Sequence, residues 1–112
     1  MAITAYLDID QGSDFNVILE LENNNGTPMD LRGYNVYSQF RKSYGSTTAY
    51  TFTTSVVDAL AGKISLGLLG TQSSAIRPGR YLYDVEIANS TPSKTRVVEG
   101  IVTINPEITK IP

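Results

Sequence analysis

Two stretches of alternating side chains in the last third of the chain constrain its fold most strongly. Residues 79–87 and residues 95–104 each place apolar or aromatic side chains at every second position, and a polar turn separates them. A period of two residues is typical of a β-strand with one buried and one solvent-facing side. The pair predicts a β-hairpin whose core face is formed by Tyr81, Tyr83, Val85, Ile87, Val98, Val102 and Ile104.

The same alternation recurs upstream in residues 3–9, 15–21, 34–40 and 64–68, and residues 49–54, rich in β-branched and aromatic side chains, form a further strand segment. Turn-forming residues separate these five segments. Short strands at this spacing are typical of a β-sandwich. Between residues 64–68 and the hairpin, Thr71 is predicted to cap a single helical turn that brings Ile76 into the core. We therefore predict an all-β fold, an antiparallel β-sandwich of about seven to eight strands, with at most one short helical turn.

The length of 112 residues predicts one domain. We assign residues 1–104 to a single sandwich domain. Residues 105–112 contain two prolines and few candidates for the core, and they are predicted to form an exposed C-terminal tail or docking arm.

Composition argues against several function classes. The chain has no cysteine and no histidine, so it lacks disulfides, thiolate zinc ligands and the commonest general base. A net charge of -2 and a pI near 4.9 give no attraction for nucleic acid or for an anionic membrane. We expect a protein that is not an enzyme, has no cofactor, and binds neither nucleic acid nor membrane.

Two groups of carboxylates are candidates for metal binding or catalysis, but each is also explained as ordinary surface residues of the sheet. Asp8, Asp10 and Asp14 lie near the first turn and offer oxygen ligands for calcium, but the glycine and bidentate glutamate of a known calcium loop are absent. We predict no metal site there.

The second group of carboxylates lies on the hairpin. A glycosidase mechanism requires two carboxyl groups that face one cleft. On an exposed sheet face, cross-strand ion pairs are the more common role of such residues. We predict no catalytic residues in this group (Asp84, Glu86 and Glu99), whose candidate cationic partners are Arg80, Lys94 and Arg96.

The tyrosines are numerous enough to form an interface or a stacking platform. By strand parity Tyr34, Tyr81 and Tyr83 belong to the core face, whereas other tyrosines are expected at the surface. The predicted interface residues are Tyr37, Tyr44 and Tyr50, together with Ile108 and Ile111 of the tail.

The order of residues in the hairpin matches a known pattern. Gly79-Arg80-Tyr81-x-Tyr83-Asp84 is followed by Thr95-Arg96-Val97-x-Glu99-Gly100-x-Val102-Thr103-Ile104 and a proline. With residues 30–34, 39–42 and 64–66, this set resembles the Ig-like domains of tailed-bacteriophage virion proteins. Residues 5–15 are similar to small structural proteins of T4-like marine cyanophages. In one departure from the family, Phe40 stands where the third strand more often has an aliphatic residue.

The resemblance implies an Ig-like sandwich that serves as a non-enzymatic component of the neck, tail or baseplate, or as a decoration of the particle. Its partners would be other virion structural proteins, with self-association into a homo-oligomer, and its location the virion, after synthesis in the host cytoplasm without a signal peptide. A carbohydrate-binding or adhesin module of the same fold class is the alternative. That alternative requires an exposed, coplanar trio formed by Tyr37, Tyr44 and Tyr50.

Overall fold

Two β-sheets form the computed structural model, which describes residues 3–90 and 94–109. The larger sheet contains, in spatial order, β1 (Ile3–Thr4), β9 (Lys94–Asn105), β8 (Gly79–Ala88), β4 (Asn35–Arg41) and β5 (Tyr50–Thr51), and β2 (Leu7–Asp10) also pairs with β9. The smaller sheet has the order β3 (Phe15–Glu20), β7 (Lys63–Leu68) and β6 (Thr53–Asp58). The predicted all-β sandwich is confirmed.

The predicted hairpin is the pair β8–β9. Tyr81 lies opposite Val102, and Val85 lies opposite Val98. After Val85 the register shifts, so that Glu86 faces Arg96. All seven side chains predicted for the core face of the hairpin are at most 5% exposed.

The first strand path, formed by β1 and β2, pairs with β9 in parallel, whereas the other described strand pairs are antiparallel. The path is interrupted at Ala5, whose carbonyl oxygen accepts a hydrogen bond of 2.8 Å from the Tyr83 hydroxyl. Gly100 lies directly beneath this carbonyl, and any β-carbon at position 100 would collide with it. The absence of a side chain at Gly100 therefore permits the close approach of the Ala5 backbone.

The chain passes from the larger to the smaller sheet at Phe52. Before it, Tyr50 pairs with Phe40 of β4, and after it β6 pairs with β7. The Phe52 side chain is 2% exposed, and its ring centroid lies 4.8 Å from that of Phe40. One strand path therefore belongs to both layers of the sandwich.

The helical turn α1 (Gly70–Ser73) follows β7. It begins after Leu69, whose backbone N–H donates to the Gln72 side chain at 2.9 Å, so the prediction that Thr71 caps the turn is wrong. Ile76 is 2% exposed and lies in the core, as predicted. Within residues 3–90 and 94–109, no helix has the length and apolar character needed to cross a membrane.

Replacing Phe40 by alanine should destabilise the fold strongly. Phe40 is fully buried between the sheets, so the substitution removes a ring and leaves a cavity, which should lower the free energy of unfolding by about 3–5 kcal/mol. Urea unfolding followed by circular dichroism measures the effect. The control is Tyr37→Ala, on the solvent side of the same strand, which should cost less than about 1 kcal/mol. Similar losses in the two variants would contradict the assigned strand faces.

Alkaline pH should destabilise the fold through Tyr83. Burial raises the pKa of Tyr83 from 10.0 to about 12, so the unfolded chain releases the phenolic proton at a lower pH than the folded chain does. The stabilisation is complete below about pH 10 and should decline by about 2–3 kcal/mol as the pH rises to about 12. Urea unfolding across this range measures the decline. The Tyr83→Phe variant keeps the ring and should show a shallower decline, and equal slopes would contradict the assignment.

Candidate functional site

A concave surface lies on the solvent side of the larger sheet. Two depressions of about 450 Å³ and about 660 Å³ adjoin there, and both are lined by Gln39, Asp84 and Glu86. We call this continuous surface the outer groove. Its further lining includes Arg41, Tyr44, Leu82, Arg96 and Glu99 in the first depression, and Tyr37, Thr51 and Lys94 in the second.

Strand parity brings the groove residues together. Gln39 of β4 lies opposite Asp84 of β8, which lies opposite Glu99 of β9. Successive side chains of a strand point to opposite faces. Because Phe40 and Val85 point into the core, their neighbours Gln39 and Asp84 point to solvent. The alternation in residues 35–41 already contains this information.

Arg96 is the centre of charge in the groove. Its Nε donates to Asp84 Oδ2 at 3.1 Å, and its Nη1 donates to Glu99 Oε2 at 3.3 Å. The negative charge of Asp84, followed by that of Glu99, raises the pKa of the Arg96 guanidinium above its usual value. Of the three candidate cations, the structure places Arg96 between the hairpin carboxylates.

A second guanidinium is held at the rim. Arg41 donates from Nη1 to the Ser46 carbonyl oxygen at 2.9 Å and from Nη2 to Gln39 Oε1 at 3.3 Å. These bonds tie the β4–β5 loop, which carries Tyr44, to the strand that lines the groove. The rim therefore presents a positioned positive charge in the same depression that Tyr44 lines.

Two of the three predicted interface tyrosines line the groove. Tyr37 is 53% exposed and Tyr44 is 79% exposed. Tyr50 was expected at the surface and is instead half-buried, with its ring stacked 5.3 Å from Phe40 and edge-on to Tyr81 at 5.9 Å. Because Tyr50 packs on the inner side of the sheet, the exposed trio required for a carbohydrate platform does not form.

The described tail residues 105–109 do not line the groove. Strand β9 extends to Asn105, and the Glu107 N–H donates to Gln11 Oε1 at 3.1 Å. Ile108 is 95% exposed, whereas Ile111 lies outside the described residues. The interface role of Ile108 and Ile111 stays a prediction, as does the boundary between the domain and the tail.

The aspartates near the first turn are dispersed. Asp14 Oδ1 accepts a hydrogen bond from the Gly70 N–H at 2.7 Å, and Asp10 Oδ1 accepts one from Asn105 Nδ2 at 3.3 Å. Across the described part of the chain, no three acidic, histidine or cysteine side chains converge closely enough to hold a metal ion. Asp14 instead fixes the first turn against α1.

Comparison with known proteins concerns the fold. No family model matches the chain, and no curated protein matches its sequence. An internalin-like protein of Listeria monocytogenes is similar in structure with a TM-score of 0.51 and 16% identity, covering 93% of this chain and 28% of that one. The chain thus spans little more than a quarter of that protein.

Two further structures show weaker likeness. Murine CRIg matches with a TM-score of 0.41 and 12% identity over 92% of each chain. AggA, the major subunit of aggregative adherence fimbriae type I from Escherichia coli, matches with a TM-score of 0.42 and 11% identity over 93% of this chain and 91% of that one. The fold shown by the chain itself is an all-β sandwich of two sheets.

The ion pairs of the groove should contribute little to stability. The Arg96 and Asp84 side chains are 44% and 28% exposed, so water and salt screen their attraction. A double-mutant cycle of Arg96→Ala and Asp84→Ala, measured by urea unfolding, should give a coupling of about 0.2–1 kcal/mol that shrinks at high salt. A coupling above about 2 kcal/mol, insensitive to salt, would show that the groove is structural and not an open surface.

Proposed function

We propose that this protein is a non-enzymatic structural component of a tailed-bacteriophage virion, in the neck, tail or baseplate or as a decoration. It docks through the outer groove onto another virion protein. The assignment to a tailed-bacteriophage virion is supported by the resemblance of residues 79–104, 30–34 and 5–15 to virion proteins. The groove supports docking as the mode of action.

The observation that carries the docking proposal is the presence of exposed aromatic rings and a positioned arginine in the lining of one surface. Tyr37 and Tyr44 are more than half exposed, and hydrogen bonds to the Ser46 carbonyl oxygen and to Gln39 hold the Arg41 guanidinium in place. Tyrosine and arginine are enriched at protein interfaces, where they supply a large share of the binding energy. The fixed row of Gln39, Asp84 and Glu99 adds the polar pattern that would set the register of a partner.

The carbohydrate-binding or adhesin interpretation loses its distinguishing feature. Tyr50 packs against Phe40 and Tyr81 on the other side of the sheet, so at most two tyrosines remain for stacking in the groove. A binding module of this kind remains a measurable outcome of the experiment below.

The test is capture of particle proteins. Immobilised protein should retain a neck, tail or baseplate protein encoded in the same genome, and Tyr37→Ser with Tyr44→Ser should weaken this binding at least about tenfold, because each ring is a candidate hot spot. Tyr6→Ser is the matched control, since Tyr6 is 72% exposed and lines neither depression. Loss of binding in the control, or glycan-array binding without capture of any virion protein, would contradict the proposal.

A further inference from the structure

The free edge of the smaller sheet is a second surface suited to binding. β3 (Phe15–Glu20) pairs with β7 on one side, and no described strand pairs with its other side. β2, which precedes it in the chain, lies in the larger sheet. The edge of β3 is therefore open along its full length among residues 3–90 and 94–109.

The direction of the backbone groups on β3 follows from the strand register. The Leu21 N–H donates to the Gly62 carbonyl oxygen at 2.7 Å, which continues the register in which Phe15 faces Leu68. Backbone groups alternate in direction along an antiparallel strand. The groups of residues 15, 17 and 19 hence bond to β7, while the N–H and C=O groups of Asn16, Ile18 and Glu20 point away from the sheet.

This edge lacks the features that usually prevent strands from pairing with other chains. Proteins protect edges with proline, lysine, bulges or short strands. The β6 edge has a register shift after Val56, and the β5 edge is two residues long. β3 has six residues, no proline, no lysine and an unbroken register. Ile18, at its middle, is 54% exposed.

We propose that β3 pairs in antiparallel fashion with β3 of a second copy of this chain, about a two-fold axis at Ile18. The smaller sheet then continues across the axis from three strands to six. The outward N–H and C=O groups of Asn16, Ile18 and Glu20 supply about six backbone hydrogen bonds. The half-buried inner side chains Val17 and Leu19 of the two copies come together at the junction of the two cores.

Backbone pairing along β3 favours this register over its neighbours. With the axis at Ile18, all three residues whose backbone groups point outward pair within β3: Ile18 meets its own counterpart, and the Asn16 amide lies opposite the Glu20 carboxylate of the second copy, a donor opposite an anion. An axis at position 17 leaves Glu20 without a partner in β3 and places its carboxylate opposite that of Asp14. An axis at position 19 leaves Asn16 without a partner in β3 and places the Glu20 carboxylate opposite Ile18. At the strand ends the register about Ile18 brings Asp14 opposite Glu22, and like charges directly opposite each other are destabilising, so its advantage rests on the larger number of backbone hydrogen bonds and on the Asn16–Glu20 pair.

The dimer goes beyond the proposed function, because it uses the other sheet and does not require a virion. It also leaves the outer groove free. A single strand from each copy makes an interface at the small end of the known range, so the dimer should be weak and concentration-dependent. We expect a dissociation constant of the dimer between about 10 µM and about 1 mM, and the concentration series must cover this range.

Sedimentation velocity over this series tests the pairing. The mass should rise from the 12.2 kDa of the monomer towards twice that value. Ile18→Lys and Ile18→Glu each place like charges across the axis, and each should raise the dissociation constant at least about tenfold. Mixing the two variants places opposite charges across the axis and should restore the dimer. Unchanged circular dichroism and urea midpoints would show that both variants fold.

Val57→Lys is the matched control. Val57 is 50% exposed on β6, the opposite edge strand of the same sheet, and the substitution should leave dimerisation unchanged. In the wild-type protein, amide exchange at Asn16, Ile18 and Glu20 should slow as the concentration rises. A wild-type chain that stays monomeric up to about 1 mM, or a dimer indifferent to both Ile18 substitutions, would overturn the proposal. Neither result would affect capture through the outer groove, so the two proposals fail separately.

Discussion

The contact between Phe40 and Phe52 is the interaction on which the rest of the sandwich depends. Phe40 lies on the inner face of a central strand, and Phe52 lies where the chain leaves one sheet for the other. Their ring centroids are 4.8 Å apart, and the Phe52 N–H donates to the Ser38 carbonyl oxygen at 3.0 Å. The crossing is thus fixed by backbone and by ring packing, and burial of two aromatic side chains at one point stabilises both layers together.

This arrangement commits the two faces of β4 to different roles. Its inner side chains, Val36, Ser38 and Phe40, are buried. Its outer side chains, Tyr37, Gln39 and Arg41, are left to line the outer groove. The buried residues Val36, Ser38 and Phe52 also border the second depression, but the exposed side chains of the outer face can be substituted to probe binding while the fold is maintained. The open edge of β3 lies on the other sheet, so an edge contact and a groove contact can coexist on one molecule.

The sequence predicted what depends on local alternation and missed what depends on distant partners. The core side chains of the hairpin follow from parity alone, because a strand alternates its faces at every residue. Tyr50 was misassigned because its strand path changes sheets two residues later, and its neighbours are set by that crossing. The parallel pairing of β1 and β2 with β9 joins segments near opposite ends of the chain, and an alternating pattern does not specify strand direction.

The outer groove was likewise predicted in part from local alternation and in part not. Parity placed Tyr37, Gln39 and Arg41 on one face, but three cations remained candidates for the hairpin carboxylates. The register shift after Val85 decides among them, since it allows Val97 and Val98 both to be buried, at 6% and 0% exposure, and brings Arg96 to the solvent side. Such a bulge is a property of two strands together. The two consecutive valines are its only trace in the sequence.

The parallel pairing of the first strand path also has a consequence for the time course of folding. Leu7 and Ile9 pair with Val102 and Ile104, so β1 and β2 have no partner during synthesis until residues 94–105 have been made. β3 and β7, in contrast, lie close enough in sequence to pair earlier. Contacts at such long sequence separation slow folding, because the loop between them must be closed before the contact is formed. We therefore expect the smaller sheet to form first and the larger sheet to be completed later, with the docking of β1 and β2 as the late step.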